Sequence, residues 1–242
     1  MKRLFCVFAT FLTFSLLNAS EPEKKSSKFI EFNMSSSTTR GVERERRLYS
    51  GQIGYNAHWF DLLAGIQVYE DVFDATFAGE IWFPFTNWYF EEARLVLGVG
   101  GIYHFQRYKD ISSEHDYIFD SCFRYRSYTG FTLTFRGGYS GKTTRVDALA
   151  GYVPLIHDHY PEFDIRIDKV FSSGFEIYYS HGTHDLYRYP VFCSPTYTLG
   201  GAANFDSGLR FGGEAALRIV DQYTTAPYVD SLVLRMTVRY TF

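Results

Sequence analysis

The sequence has few of the residues that usually hold disulfide-rich domains or metal centres together. Only three of its 242 residues are cysteine, and seven are proline. Cys6 lies in the N-terminal segment that we expect to be removed, as described below. The other two, Cys122 and Cys193, are too few for a disulfide framework or a four-cysteine zinc site. The sequence leaves open whether these two form one bridge or two free thiols. There is also no glycine-rich nucleotide motif and no flavin or NAD fingerprint, so we predict no cofactor.

The chain also lacks an excess of positive charge. Its formal net charge is −3 at pH 7, and this value becomes more negative if the first 20 residues are removed. A polyanion such as DNA or RNA is normally bound by a basic surface, so nucleic acid is not expected as a partner.

Long hydrophobic runs are confined to the N-terminus. Lys2 and Arg3 precede an apolar run from Leu4 to Leu17, and small or polar residues follow at 18–20. This layout is typical of a cleavable secretory signal, and the run is shorter than the roughly 20 residues of a membrane-spanning helix. We therefore expect a signal peptide at 1–20 and one domain at 21–242.

Aromatic residues are abundant, and they recur with a period of two. Tyrosine and phenylalanine number 20 and 24. In one segment Tyr117, Phe119 and Phe123 alternate with Asp120 and Arg124, and similar alternation appears along most of the chain. This pattern predicts β-strands and no long helix. The glycine-containing tetrapeptides "YSGK" at 139–142, "FSSG" at 171–174 and "FDSG" at 205–208 are predicted hairpin turns.

The alternation does not give a single number of strands. Thirteen apolar rows begin near Phe29, Tyr49, Leu62, Ala75, Leu95, Tyr117, Phe131, Val146, Phe163, Phe175, Tyr197, Leu209 and Leu232. The longer loops are predicted at 36–47, 107–116, 153–162, 181–195 and 220–229. Counting strands from the two ends gives conflicting loop directions between Tyr117 and Tyr152. We expect about twelve strands, with ten or fourteen left open.

The last segment, "SLVLRMTVRYTF", is similar to the closing strand of bacterial outer-membrane β-barrel proteins. Leu234, Met236, Val238, Tyr240 and Phe242 share one face of this strand. The resemblance implies an all-β, antiparallel, transmembrane up-and-down β-barrel of the small-barrel class, located in the bacterial outer membrane after export. It also implies that Tyr240 and Phe242 form the signal read by the barrel-assembly machinery. It identifies an architecture and no function family, and a soluble periplasmic β-sandwich is the competing fold.

In such a barrel the rows opposite the apolar residues line the lumen. A twelve-stranded barrel is wide enough for a narrow water-filled pore. Arginines outnumber carboxylates in these rows, which favours small anionic solutes if the lumen is open. If the charges pair and fill the lumen, the protein is instead a structural surface protein. The predicted lumen-lining residues are Glu80, Asp120, Arg124, Arg126, Arg136, Arg145, Asp147, Asp164, Arg166, Asp168, Glu176, Arg210, Glu214, Arg218, Arg235 and Arg239.

Two further functions remain as alternatives. The stretch "YYSHGTHDLYRY" is similar to the His-x-Ser arrangement of outer-membrane lipid A deacylases, with His181 and Thr183 predicted to face lipid and Asp185 to orient the histidine. Threonine replaces the serine of that motif and its asparagine is absent, so an outer loop is favoured over an enzyme. The other alternative is an adhesin that acts through its extracellular loops.

Short polar motifs suggest possible contacts with ions and lipids. His157 and His159, with Asp158 or Glu162, contain metal-ligand side chains, but a site needs convergent further ligands and a solvated loop is favoured. We therefore predict no metal. The arginine-rich run at 40–47 is a predicted outer loop that suits the phosphates of lipopolysaccharide, so outer-membrane lipids are expected partners.

Overall fold

The computed structural model describes residues 26–40, 46–57, 59–69, 72–89, 93–109, 111–146, 155–183, 195–220 and 228–242. These residues form twelve strands: β1 (Ser27–Thr39), β2 (Arg46–Asn56), β3 (Phe60–Tyr69), β4 (Val72–Tyr89), β5 (Ala93–Tyr108), β6 (Ser112–Ser127), β7 (Phe131–Val146), β8 (Leu155–Val170), β9 (Phe175–Gly182), β10 (Thr196–Asn204), β11 (Leu209–Val220) and β12 (Tyr228–Thr241). The predicted signal peptide at 1–20 lies outside the described residues.

The strands close into a single antiparallel barrel. Each strand pairs with its neighbours along the chain, and β12 pairs with β1. The register of this last pair runs from Phe29 opposite Thr241 to Thr39 opposite Ser231. Closure leaves no strand edge unpaired, which is the condition for a sheet to cross lipid. The predicted twelve-stranded barrel is confirmed, and the β-sandwich alternative is wrong because one sheet closes on itself.

The predicted row near Val146 does not begin a strand, because Val146 is the last residue of β7. β7 continues without interruption through the stretch 139–142, where Gly141 pairs with Tyr117 on one side and His159 on the other. The predicted turn at this position is therefore wrong. Gly141 accommodates a close neighbour, because a Cβ there would lie 3.2 Å from Nδ1 of His159.

The two ends of the barrel differ in their connections. At one end, called here the short-turn end, tight turns at 171–174 and 205–208 confirm two of the predicted hairpins. Gly174 and Gly208 have φ values of 80° and 84°, in the left-handed region that glycine adopts without strain. The connections at the opposite, long-loop end include 147–154, 184–194 and 221–227, which lie outside the described residues. Strands also extend into the predicted loops at 36–47, 107–116 and 153–162.

The barrel has apolar side chains outside and polar side chains inside. Phe32, Phe119 and Met236 on the outer surface are 65–71% exposed, whereas Glu31 and Asn33 on the interior are 5–6% exposed. This distribution is the reverse of that in a water-soluble β-sheet protein and matches a barrel surrounded by lipid. In the described part of the chain, no helix is long and apolar enough to cross a membrane.

Candidate functional site

The interior of the barrel contains most of the polar residues that the alternation singled out. Arg145 is an exception: it lies on the outer surface, because β7 continues to Val146 and keeps the parity of Phe131 throughout. Asp147 lies outside the described residues. The interior rows include Glu80, Asp120, Arg124, Arg126, Arg136, Asp164, Arg166, Asp168, Glu176, Arg210, Glu214, Arg218, Arg235 and Arg239.

Arg136 connects strands that are not neighbours in the sheet. Its Nε donates to Oε1 of Glu80 on β4 at 2.6 Å, and its Nη1 lies 3.3 Å from Oδ2 of Asp164 on β8. Arg124 also approaches Glu80, at 3.6 Å, and its guanidinium lies 4.0 Å from the centre of the Trp82 ring. This group therefore crosses the interior from β4 to β8 and narrows the space inside.

A second group of ion pairs lies on the wall formed by β8 to β12. Arg210 binds Glu176 through two hydrogen bonds of 3.2 and 3.3 Å, and Arg166 donates to Asp168 at 2.7 Å. Arg235 donates to one oxygen of Glu214 at 2.5 Å. Charge-assisted hydrogen bonds of this kind fix the positions of the guanidinium groups.

A third group of polar contacts closes the junction between β1 and β12. Arg239 donates to Oε2 of Glu31 at 2.6 Å, and Gln52 on β2 donates to the other carboxylate oxygen. The hydroxyl of Thr237 donates to the amide oxygen of Asn33 at 2.6 Å. The first and last strands are thus joined by side chains as well as by the backbone.

An open cavity of about 380 Å³ lies between these groups, and residues from both sides of the barrel line it. In three of the ion pairs the arginine is clearly more exposed than the carboxylate. The side chains of Arg239 and Glu31 are 31% and 6% exposed, and those of Arg166 and Glu176 are 36% and 13% exposed. Arg136 shows the same order against Asp164, at 23% and 11%. The charges pair, and the cavity lining carries both signs, with four arginines and five carboxylates. Of the pairs compared here, Arg239 and Arg166 line the cavity whereas Glu31 and Glu176 do not.

Near the long-loop end, a set of polar side chains is packed away from the cavity. Gln67 donates to Asp74 at 3.0 Å, and Nδ1 of His104 lies 3.4 Å from Oδ2 of Asp116. Asp74 and Asp116 are 2% and 1% exposed. We call this set the enclosed cluster; its members are Gln67, Asp74, His104, Gln106, Asp116, Ser140, Glu162 and Thr183, all buried.

The sequence prediction missed several interior charges, which changes the expected balance. Each alternates with an apolar outward neighbour, as Glu31 does with Ile30 and Phe32, so the same period-two pattern could have identified them. Among the described residues, interior carboxylates therefore outnumber interior basic side chains, which reverses the predicted balance, and the orientation of the pairs matters more. The missed interior residues are Glu31, Asp61, Asp74, Arg94, Glu114, Asp116, Lys142 and Glu162.

The structure separates the two residues of the predicted hydrolase motif. β9 ends at Gly182, and the chain then bends so that Thr183 is buried and donates to Glu162 at 2.5 Å. His181 lies on the outer row, where its ring stacks on Tyr197 with centroids 4.2 Å apart. The prediction that Thr183 faces lipid beside His181 is therefore wrong. Asp185 lies outside the described residues.

The remaining predicted residues lie on the outer surface or at the barrel ends. His157 and His159 lie on the outer row of β8, and the described residues contain no group of three or more metal-ligand side chains placed to hold an ion. Tyr240 and Phe242 are exposed and pack edge to face, with centroids 5.2 Å apart. Cys122 is a buried free thiol. Cys193 lies outside the described residues.

No known family model matches the chain, and no curated protein sequence matches it. Solved structures do match its fold. The NanC porin is 8% identical with a TM-score of 0.56, and the match covers 87% of this chain and 98% of the porin. A KdgM porin in complex with disordered oligogalacturonate is 10% identical with a TM-score of 0.52, covering 88% and 99%. The chain therefore has the fold of small bacterial outer-membrane porins.

Proposed function

We propose that this protein is a narrow porin-like channel that favours small anionic solutes. The observation that supports this most directly is the orientation of the interior ion pairs. In the pairs Arg239–Glu31 and Arg166–Glu176 the guanidinium is more exposed to the cavity than the carboxylate. At these pairs a solute in the cavity contacts the guanidinium rather than its carboxylate partner, and charged side chains that line a pore set its ion preference.

The proposed location is the bacterial outer membrane. The apolar outer surface and the porin fold support it, since a closed barrel of this kind is stable in lipid. Residues 1–20 are proposed to direct export. Tyr240 and Phe242, exposed on the outer surface, are the proposed contact for the barrel-assembly machinery.

The size of the interior limits the proposed solutes. The cavity of about 380 Å³ is narrowed by Arg136, which reaches across to Glu80. We therefore propose inorganic anions and small organic acids as the permeating class. The KdgM structure in complex with oligogalacturonate makes a galacturonate oligomer a suitable larger anionic probe.

The test is conductance of the purified barrel in a planar bilayer with a KCl gradient. Wild type is expected to show discrete conductance steps and a reversal potential that indicates anion preference. The double variant Arg166→Ser/Arg239→Ser removes the two most exposed interior guanidiniums among the ion pairs described above, and is expected to shift the preference towards cations.

A matched control removes the same charge from the outer surface. Arg107→Ser/Arg145→Ser deletes two exposed arginines that lie on the outer rows of β5 and β7, and its reversal potential should equal that of wild type. A barrel that never conducts would refute the channel. An equal shift in the control would show that the interior arginines do not set the preference.

A further inference from the structure

The outer surface of β5 to β8 changes in character towards the long-loop end. Along β7 the outward side chains are apolar at Phe131, Leu133 and Phe135, then Tyr139, then Thr143 and Arg145. The neighbouring strands change in the same order through Tyr103 and Tyr117. A ring of tyrosines marks the boundary between hydrocarbon and headgroups on membrane barrels. The side chains beyond it therefore lie at headgroup level.

The band beyond the tyrosines is basic. Arg107 on β5 and Arg145 on β7 are both exposed. Ser113 of β6 lies between them and pairs with Arg107 on one side and with Arg145 on the other. Their Cα atoms are two strand spacings apart, about 10 Å. Nε of Arg107 donates to the carbonyl oxygen of Lys109 at 3.0 Å, and the ends of both guanidiniums are within reach of one group between the two strands. The outer rows of the described parts of β5 to β8 contain no carboxylate.

Two histidines border this pair in the next row of the sheet. Nδ1 of His115 is hydrogen-bonded to the hydroxyl of Tyr103 at 2.8 Å, and Nδ1 of His157 to the hydroxyl of Thr143 at 3.0 Å. These bonds hold both rings in place on the outer surface. The result is an ordered polar surface next to an aromatic belt.

We infer that this surface, formed by Arg107, Ser113, His115, Thr143, Arg145 and His157, binds the phosphate group of a lipid in the outward-facing leaflet. Arginine binds phosphate through paired, charge-assisted hydrogen bonds, and the described outer rows of these strands contribute no carboxylate that would repel it. The adjacent tyrosines and phenylalanines contact the acyl chains of the same lipid. A phosphorylated lipid satisfies both parts of the surface, whereas a free phosphate satisfies only one.

This inference rests on the proposed membrane location and not on channel activity. The test uses the full-length mature barrel refolded in detergent, with doubly phosphorylated lipid A as the probe and native mass spectrometry as the measure of binding. Arg107→Ser/Arg145→Ser is expected to weaken binding at least about tenfold, the scale of losing charge-assisted contacts to an anion. Lipid A without phosphates should bind the wild-type protein as weakly as phosphorylated lipid A binds this variant.

Lys28→Ser/Lys169→Ser is the matched control, because it removes two positive charges from the outer surface at the short-turn end. Its binding should stay within about threefold of wild type, as expected for distant surface charges. Arg107→Lys/Arg145→Lys keeps the charge without paired hydrogen bonding and should bind with intermediate affinity. A gel-mobility test of folding accompanies each variant.

Wild-type binding by the Arg107→Ser/Arg145→Ser variant would overturn the inference. An equal loss of lipid binding in Lys28→Ser/Lys169→Ser would also overturn it. So would undiminished binding of lipid A without phosphates to the wild-type protein. Conductance measured on the same preparations separates the two proposals. A barrel that binds the lipid without conducting would refute only the channel, and one that conducts without binding would refute only the lipid site.

Discussion

Charged side chains inside the barrel are stabilised differently in the enclosed cluster and in the cavity-facing ion pairs. In the cluster, Asp74 and Asp116 are at most 2% exposed and depend on protein partners such as Gln67 and His104. In the cavity, the Arg166 and Arg239 side chains are about a third exposed although both have carboxylate partners. A buried polar group without a partner costs far more than one that can bind water.

This difference predicts a division of roles between the two regions. Changes in the enclosed cluster should alter the stability of the barrel and leave ion preference nearly unchanged. Changes at the most exposed cavity-facing arginines, Arg166 and Arg239, should alter ion preference and cost little stability, because water replaces the missing partner. Substitutions of the same kind in each region test this division.

The largest effect on stability is expected for Asp74→Ala. This change leaves the amides of Gln67 and Gln106 without their acceptor in an enclosed space. The free energy of unfolding should fall by about 3 kcal/mol, from two unsatisfied donors. Asp168→Ala, which removes a partner of the partly exposed Arg166, should cost less than about 1 kcal/mol. Urea unfolding in lipid vesicles measures both, and equal losses would contradict the comparison.

Arg136→Ala should have a smaller effect on stability together with an effect on conductance. Glu80 and Asp164 lose a shared partner, but the site is partly hydrated, so the expected cost is about 2 kcal/mol, below that of a dry ion pair. Single-channel conductance should rise, because the side chain no longer crosses the interior. Arg145→Ala on the outer surface is the control. Unchanged conductance in Arg136→Ala would show that this side chain does not limit the pore.

A smaller effect than that of Arg136→Ala is expected for Thr183→Val, which tests whether this residue belongs to the enclosed cluster. Loss of its hydrogen bond to Glu162 should lower the unfolding free energy by about 1 kcal/mol. Thr183→Ser should retain it. His181→Phe, which keeps a ring against Tyr197, should change stability by less than about 0.5 kcal/mol. No fatty-acid release is expected from wild type; release that both His181→Phe and Thr183→Val abolish would instead support the hydrolase.

The sequence was sufficient to predict most of the fold. Period-two alternation located all twelve strands, because each has one apolar surface and one polar surface. It failed at Gly141, since glycine within a strand gives the same local signal as glycine in a turn. That one error introduced a strand break before Val146 and reversed the predicted side of Arg145.

The candidate site was less predictable. Alternation indicates on which side of the wall a residue lies, but not its height or which residue it meets across the barrel. The contact between Arg136 and Glu80 joins strands that are three apart, so no local pattern in the sequence indicates it. The greater exposure of Arg239 than of Glu31 depends on the shape of the cavity and is equally invisible in the sequence.

The junction between β1 and β12 has a consequence for folding kinetics. The side-chain bonds from Thr237 to Asn33 and from Arg239 to Glu31 join residues 204 and 208 positions apart. Contacts of such long range form late, because almost the whole polypeptide must be ordered before they compensate for its lost entropy. An intermediate that lacks β12 would leave β1 as an open edge, ready to pair with another molecule.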